Sequence, residues 1–143
     1  MNDRSSLKAV AISFAVVVAM SGCRNANELD TAPVSGRVLM NGKPLSTGTV
    51  TFVPNRGRVA NGDIQSDGTF ELSTYRSGDG AIVGSHKAAV LVIRSDIDPA
   101  KGPEQDKPLM LIPPRYVTAE ESGLKYEVRA GQNNNFTLEL HDP

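Results

Sequence analysis

From Val34 onward the chain is a series of short runs in which apolar and polar residues alternate, each cut off by Gly, Asn, Asp or Pro. Alternation of period two buries one face of a strand and wets the other. Runs this short leave no room for a helix of ordinary length. Val34-Ser35-Gly36-Arg37-Val38-Leu39-Met40 reads as a strand, and Asn41-Gly42 after it suits the left-handed backbone of a type I′ turn. Positions 49–53 put Val50 and Phe52 on one face, and Pro54 stops the run. Positions 59–65 read as a weaker strand with a bulge at Gly62. Asp67-Gly68 is the strongest hairpin signal, set between Ile64 and the same-face pair Phe70 and Leu72.

After the loop Ser77-Gly78-Asp79-Gly80, positions 81–84 lead into 86–94, the longest apolar stretch outside the N-terminus and a candidate central strand containing Val90. Positions 124–128 and 136–140 each alternate apolar with charged residues and close the domain. Seven strands and no convincing helix predict an all-β fold, an antiparallel β-sandwich. Positions 119–122 have room for one helical turn at most.

Positions 95–118 break this pattern. Pro99, Pro103, Pro108, Pro113 and Pro114 oppose regular pairing across most of the segment. A loop this long is functional or mobile in most compact domains. Its charged stretch 98–107 is expected to be mobile. The apolar 109–116 is expected to be pinned, with Leu111 or Ile112 on the sandwich and Tyr116 closing an edge.

The N-terminus has a different organisation. Arg4 and Lys8 precede an apolar run over 9–20, and small residues lead to Cys23, the one cysteine of the chain. Charge, apolar core and small residues in that order read as a secretory signal peptide over 1–22. A bilayer span needs about 20 apolar residues, and this run falls well short. An ordinary secretory signal cut elsewhere would leave Cys23 as a lone thiol in an oxidising compartment, an unusual choice. Met20-Ser21-Gly22-Cys23 resembles the bacterial lipobox, in which the cysteine is acylated and becomes the first mature residue. That resemblance implies lipidation at Cys23 and a cell-envelope location, at the outer membrane or the periplasmic face of the inner membrane. Arg24, where an Asp would favour inner-membrane retention, leans towards the outer membrane. Positions 23–33 are polar and aperiodic, and read as a flexible tether between lipid and domain, with the alternative that the end of the segment adds a few residues to the first strand.

The 143 residues allow one domain after such a leader. Fifteen Lys and Arg against 16 Asp and Glu give a formal charge of −1, with no basic cluster of the kind nucleic acid requires. With one cysteine, no intrachain disulfide is possible, and the core alone must hold the fold.

Taken together, Val34-Ser35-Gly36-Arg37-Val38, Asn41-Gly42-Lys43-Pro44-Leu45, Gly48-Thr49-Val50-Thr51-Phe52 and Ser66-Asp67-Gly68-Thr69-Phe70-Glu71-Leu72 resemble the carboxypeptidase regulatory-like domain. Positions 78–87 and Ile112-Pro113-Pro114-Arg115-Tyr116 look like a bacterial lipoprotein subgroup of that family. The resemblance covers 34–140 and implies a seven-stranded transthyretin-like/immunoglobulin-like β-sandwich. It implies no activity, because the module is an accessory one and fold does not fix function.

No catalytic constellation is legible. His86 and His141 have no second ligand at zinc spacing, and both read as surface residues. Asp63, Asp67, Asp79, Asp96 and Asp98 lack the shaped loop and distal Glu that calcium wants, and read as solvated loop acids. The hydrolase of 5-hydroxyisourate shares the transthyretin-like fold, but its Tyr-Arg-Gly-Ser ending is missing here. With no Trp, a sugar platform would fall to Tyr75 and Tyr116, the weak candidates for ligand contact. The expectation is a non-enzymatic, lipid-anchored envelope domain, structural or protein-binding, with no metal, cofactor or nucleic acid. The alternative is a small-ligand or carbohydrate-binding surface lipoprotein.

Overall fold

The computed structural model describes residues 26–94 and 109–143. Its strands are β1 (Thr31–Ala32), β2 (Val34–Met40), β3 (Lys43–Pro44), β4 (Thr49–Pro54), β5 (Ala60–Asp63), β6 (Thr69–Glu71), β7 (Ala81–Ile82), β8 (Gly84–Leu91), β9 (Ile93–Arg94), β10 (Leu109–Met110), β11 (Lys125–Val128) and β12 (Asn134–Leu140). Among the described residues the one helical element is a 3-10 turn, Pro114–Tyr116.

One sheet runs β11-β8-β4-β5, antiparallel throughout. The other is built on β2. β12 covers one edge of β2 over its full length, and β6 and β3 divide the other edge. The pair β1–β7 and the pair β9–β10 extend the assembly as short antiparallel ladders.

The ladder between β2 and β12 is parallel, from Asn134 opposite Val34 to Leu140 opposite Met40. The sandwich is therefore not wholly antiparallel, against the sequence expectation. β11 and β12 belong to different sheets, and the turn between them carries the chain across. Asn134 fixes that crossing. Its Oδ1 accepts the Arg129 N–H at 2.9 Å, its Nδ2 donates to the carbonyls of Arg129 and Gln132, and its own N–H donates to the Pro33 carbonyl at 2.9 Å.

Val50 and Phe52 of β4, Ala88 and Val90 of β8, Val34 and Val38 of β2, and Leu138 and Leu140 of β12 all fill the space between the sheets. Phe70 and Leu72 join them, as the alternation predicted. Phe52 is fully buried and is the hub of an aromatic cluster. The rings of Tyr126, His86, Phe136 and Phe70 lie 5.4, 5.8, 6.0 and 6.4 Å from it. Tilted and offset rings at such spacings add to plain area burial.

The turns follow the local chemistry. Asn41 and Gly42 both have positive φ, 50° and 79°, and return the chain from β2 to β3. At Asp67-Gly68 the Gly68 N–H donates to the Gln65 carbonyl at 2.9 Å, a tight turn. β5 and β6 do not form a full hairpin, however: β6 pairs with β2, and the two arms meet at a single bridge between Asn61 and Ser73. The turn moves the chain from one sheet to the other. The bulge expected at Gly62 is absent, because the β4–β5 register runs unbroken from Thr49–Asp63 to Phe52–Ala60. Gly62 is needed for a different reason. A Cβ there would collide with the carbonyl of Glu71 on β6.

Two further expectations change. Leu109–Met110 pairs with Ile93–Arg94 despite the prolines around it, since Pro108 and Pro113 flank the pair rather than interrupt it. The expectation that Leu111 or Ile112 packs on the sandwich is met by Ile112, which is 4% exposed and joins the core, while Leu111 is 42% exposed. The 98–107 stretch lies outside the described residues. The 23–33 segment, read as a tether, is docked in most of its described part. Thr31 and Ala32 form β1 opposite Ile82 and Ala81, Ala32 is buried, and the Val83 N–H donates to the Asp30 carbonyl. Small segments of low hydropathy can still be ordered when their backbone completes a ladder.

Candidate functional site: the linker-bearing end of the sandwich

The loop between β6 and β7 organises one end of the molecule. The Asp79 carboxylate accepts three consecutive backbone N–H groups, from Thr74 at 2.7 Å, Tyr75 at 2.9 Å and Arg76 at 3.0 Å. Hydrogen bonds to an ionised acceptor are the strong kind, and three on one carboxylate freeze the loop. Thr74 Oγ1 donates to the Gly80 carbonyl and the Gly78 N–H to Ser73 Oγ, which closes it further.

That rigid loop receives the N-terminal linker. Arg76 pairs with Glu28 at 2.9 Å, and the Tyr75 hydroxyl accepts the Leu29 N–H at 3.2 Å. The Arg58 guanidinium lies 5.7 Å from the centre of the Tyr75 ring, within cation–π range. Leu29 and Ile82 both crowd Gly57, and a hollow of about 400 Å³ beside them is lined by Leu29, Asp30, Arg56, Ile82 and Ser85. Arg56 and Arg58 are exposed.

The two tyrosines singled out as ligand contacts are thus not together. Tyr75 is half-buried at the linker end. Tyr116, 5% exposed, sits at the opposite end, where β2 and β12 finish. Its hydroxyl accepts the His141 N–H at 3.0 Å and a bond from Arg115 Nη2 at 3.2 Å, and Arg115 also donates to the His141 carbonyl at 2.6 Å. Asn41 and Asp142 complete this clasp with a reciprocal pair of bonds at 2.8 and 3.2 Å. Tyr116 pins the C-terminal end of the described strand pair, and neither tyrosine lines the hollows described here.

His86 is a correction. It was read as a surface residue, but it is 2% exposed, on the inward face of β8 with Ala88 and Val90, against the Phe52 ring. Its Nε2 lies 2.6 Å from the Ile82 carbonyl, which can only accept, so Nε2 carries the proton. Nδ1 is buried without a hydrogen-bond partner. A hollow of about 410 Å³ lies nearby, lined by His86, Tyr126, Lys87 and Lys125 among others. The parity of Ser85-His86-Lys87-Ala88 was the signal for burial. His141 is exposed, as expected.

Asp63, Asp67 and Asp79 do not converge. Each serves its own surroundings: Thr49 Oγ1 donates to Asp63, and the Thr69 N–H and hydroxyl both donate to Asp67. The hydroxyl bond first, then the backbone bond, holds the Asp67 carboxyl below the usual carboxylate range. Tyr126 is shifted the other way, pushed up by burial and secondarily by the nearby Glu139 charge. Among the described residues no group of three or more His, Cys, Asp or Glu could hold a metal ion, and no helix is long and apolar enough to cross a membrane. Cys23, Asp96 and Asp98 lie outside the described residues.

A polar hollow of about 620 Å³ lies between the facing arms of β5 and β6, lined by Ser35, Asn61, Asp63, Gln65, Glu71 and Ser73 among others. No family model, curated protein or solved structure matches the chain.

Proposed function

We propose that this is a non-enzymatic, lipid-anchored cell-envelope protein, whose β-sandwich serves a structural or protein-binding role at a membrane surface. The observation that carries the reading is the order Arg4 and Lys8, apolar run, Met20-Ser21-Gly22-Cys23, ahead of a domain that holds no second cysteine. Acylation at Cys23 by two or three chains would give durable attachment, since each buried methylene contributes about 0.8 kcal/mol. The described polar side chains support the non-enzymatic part. Asp79, Asp67, Asn134, Arg115 and Tyr116 are committed to loops, turns and the C-terminal clasp.

The finer fold reading belongs here as well. Among the described residues, seven strands of three residues or more, in two facing sheets, support the seven-stranded transthyretin-like sandwich of carboxypeptidase regulatory-like domains. The outer-membrane or periplasmic location follows from the lipobox resemblance. Small-ligand or carbohydrate binding stays as the second reading, and the polar hollow beside Asn61, Asp63 and Glu71 is what favours it.

Cys23→Ser tests the first reading. The variant should accumulate as a slower-migrating, uncleaved precursor without lipid. A variant still acylated and cut at the same bond contradicts it.

A further inference from the structure

The docked linker fixes how far the domain can stand from its anchor. Glu28 is held by Arg76, Leu29 by Tyr75, and Asp30 to Ala32 by the strand that follows Gly80. Five chain steps separate Cys23 from Glu28, and fully extended they reach no more than about 18 Å. The sandwich is longer than that leash. β2 alone, six chain steps from Val34 to Met40, spans about 20 Å between the linker end and the Asn41 end.

An anchor at Cys23 therefore cannot bring the Asn41 end down onto the bilayer while the linker stays docked. The end it does bring down holds Leu29 and the exposed Arg56 and Arg58, and Arg58 lies over the very tyrosine that binds the linker. Guanidinium groups near an anionic leaflet are attracted to lipid phosphates. We propose that the linker-bearing end is a membrane-facing surface, held at short range with Arg56 and Arg58 against phospholipid headgroups. The opposite end, carrying Asn41, Tyr116 and Asp142, then faces away from the bilayer. So do Arg94 and Leu109, between which the 95–108 segment is inserted.

The inference rests on lipidation at Cys23, and one sample separates the two. The full chain is purified with its native modification, its mass is read, and it is placed in nanodiscs of phosphatidylethanolamine and phosphatidylglycerol containing a paramagnetic headgroup lipid. Backbone amides of Gly57, Arg58 and Arg76 should broaden several-fold more than those of Gly42, Lys43 and Asp142. Arg56→Gln with Arg58→Gln should weaken the broadening at Gly57 in these discs, and leave it unchanged in discs of phosphatidylcholine alone. An unmodified Cys23 overturns the anchored reading and this inference with it. An acylated chain that broadens equally at both ends, or along one whole face, overturns the inference alone. An unchanged Gly57 signal in the double variant overturns the role of the arginines.

Discussion

The Tyr75 hydroxyl accepts the backbone N–H of Leu29 at 3.2 Å, a bond that spans 46 positions and ties the linker to the loop between β6 and β7. Glu28 and Arg76 lie beside it, and β1 continues the contact into the β7 ladder. Tyr75→Phe removes only that acceptor. Hydrogen exchange at Leu29 should quicken by about 2- to 10-fold, the equivalent of one net hydrogen bond, while Val83 stays protected by Asp30. Fast exchange at both positions in the unaltered protein would mean the linker is free after all.

Phe70 is 3% exposed and packs near Phe52 across the sandwich. Phe70→Ala should destabilise by roughly 3–5 kcal/mol, a large part of what a domain of this size has. Denaturant unfolding measures it, and a loss below about 1 kcal/mol would not be compatible with a core position.

Alkaline pH should loosen the seam between β11 and β12. Tyr126 Oη donates to the Thr137 carbonyl at 3.3 Å, and the phenol titrates above its ordinary 10.0 because burial disfavours the anion. Below pH 10 the folded state keeps this contribution; as pH rises past 10 the unfolded chain ionises first, so stability falls. Tyr126→Phe should flatten that fall, and an identical alkaline slope in both proteins would remove Tyr126 as its source.

Asp67 makes the opposite test. Its carboxyl titrates below 3.8 because Thr69 donates to it through both hydroxyl and backbone. Stability from this turn is present above pH 3.8 and declines as the acid limb is descended. Carbon-detected titration of Asp67 should give a midpoint below that value, moving back up in Thr69→Ala.

Much of this was legible in the residues. Asn41-Gly42 and Asp67-Gly68 mark turns through backbone freedom alone, and the parity of Val50 with Phe52 and of Phe70 with Leu72 marks the buried faces. The parallel pairing of β12 with β2 was not, because it joins segments 100 positions apart and no local pattern encodes which edge a strand will find. His86 was misjudged by residue type, although its alternation with Ala88 and Val90 pointed inward. The docking of positions 28–32 depends on Tyr75, Arg76 and a two-residue ladder, and a polar linker carries no periodicity to announce such contacts. Tyr75 and Tyr116 stand in the sequence as weak candidates for ligand contact, yet each hydroxyl is engaged by chain backbone, and Tyr116 is buried as the pinned 109–116 segment implies.

The membrane orientation is set by the chemistry at Cys23, and intact mass spectrometry of the chain produced in a bacterial envelope reads that chemistry directly. A mature chain that begins at Cys23 and carries the added mass of a diacylglyceryl group, with or without a third acyl chain, is the result predicted. A chain that begins at any other residue, or a Cys23 with an unmodified thiol, contradicts it.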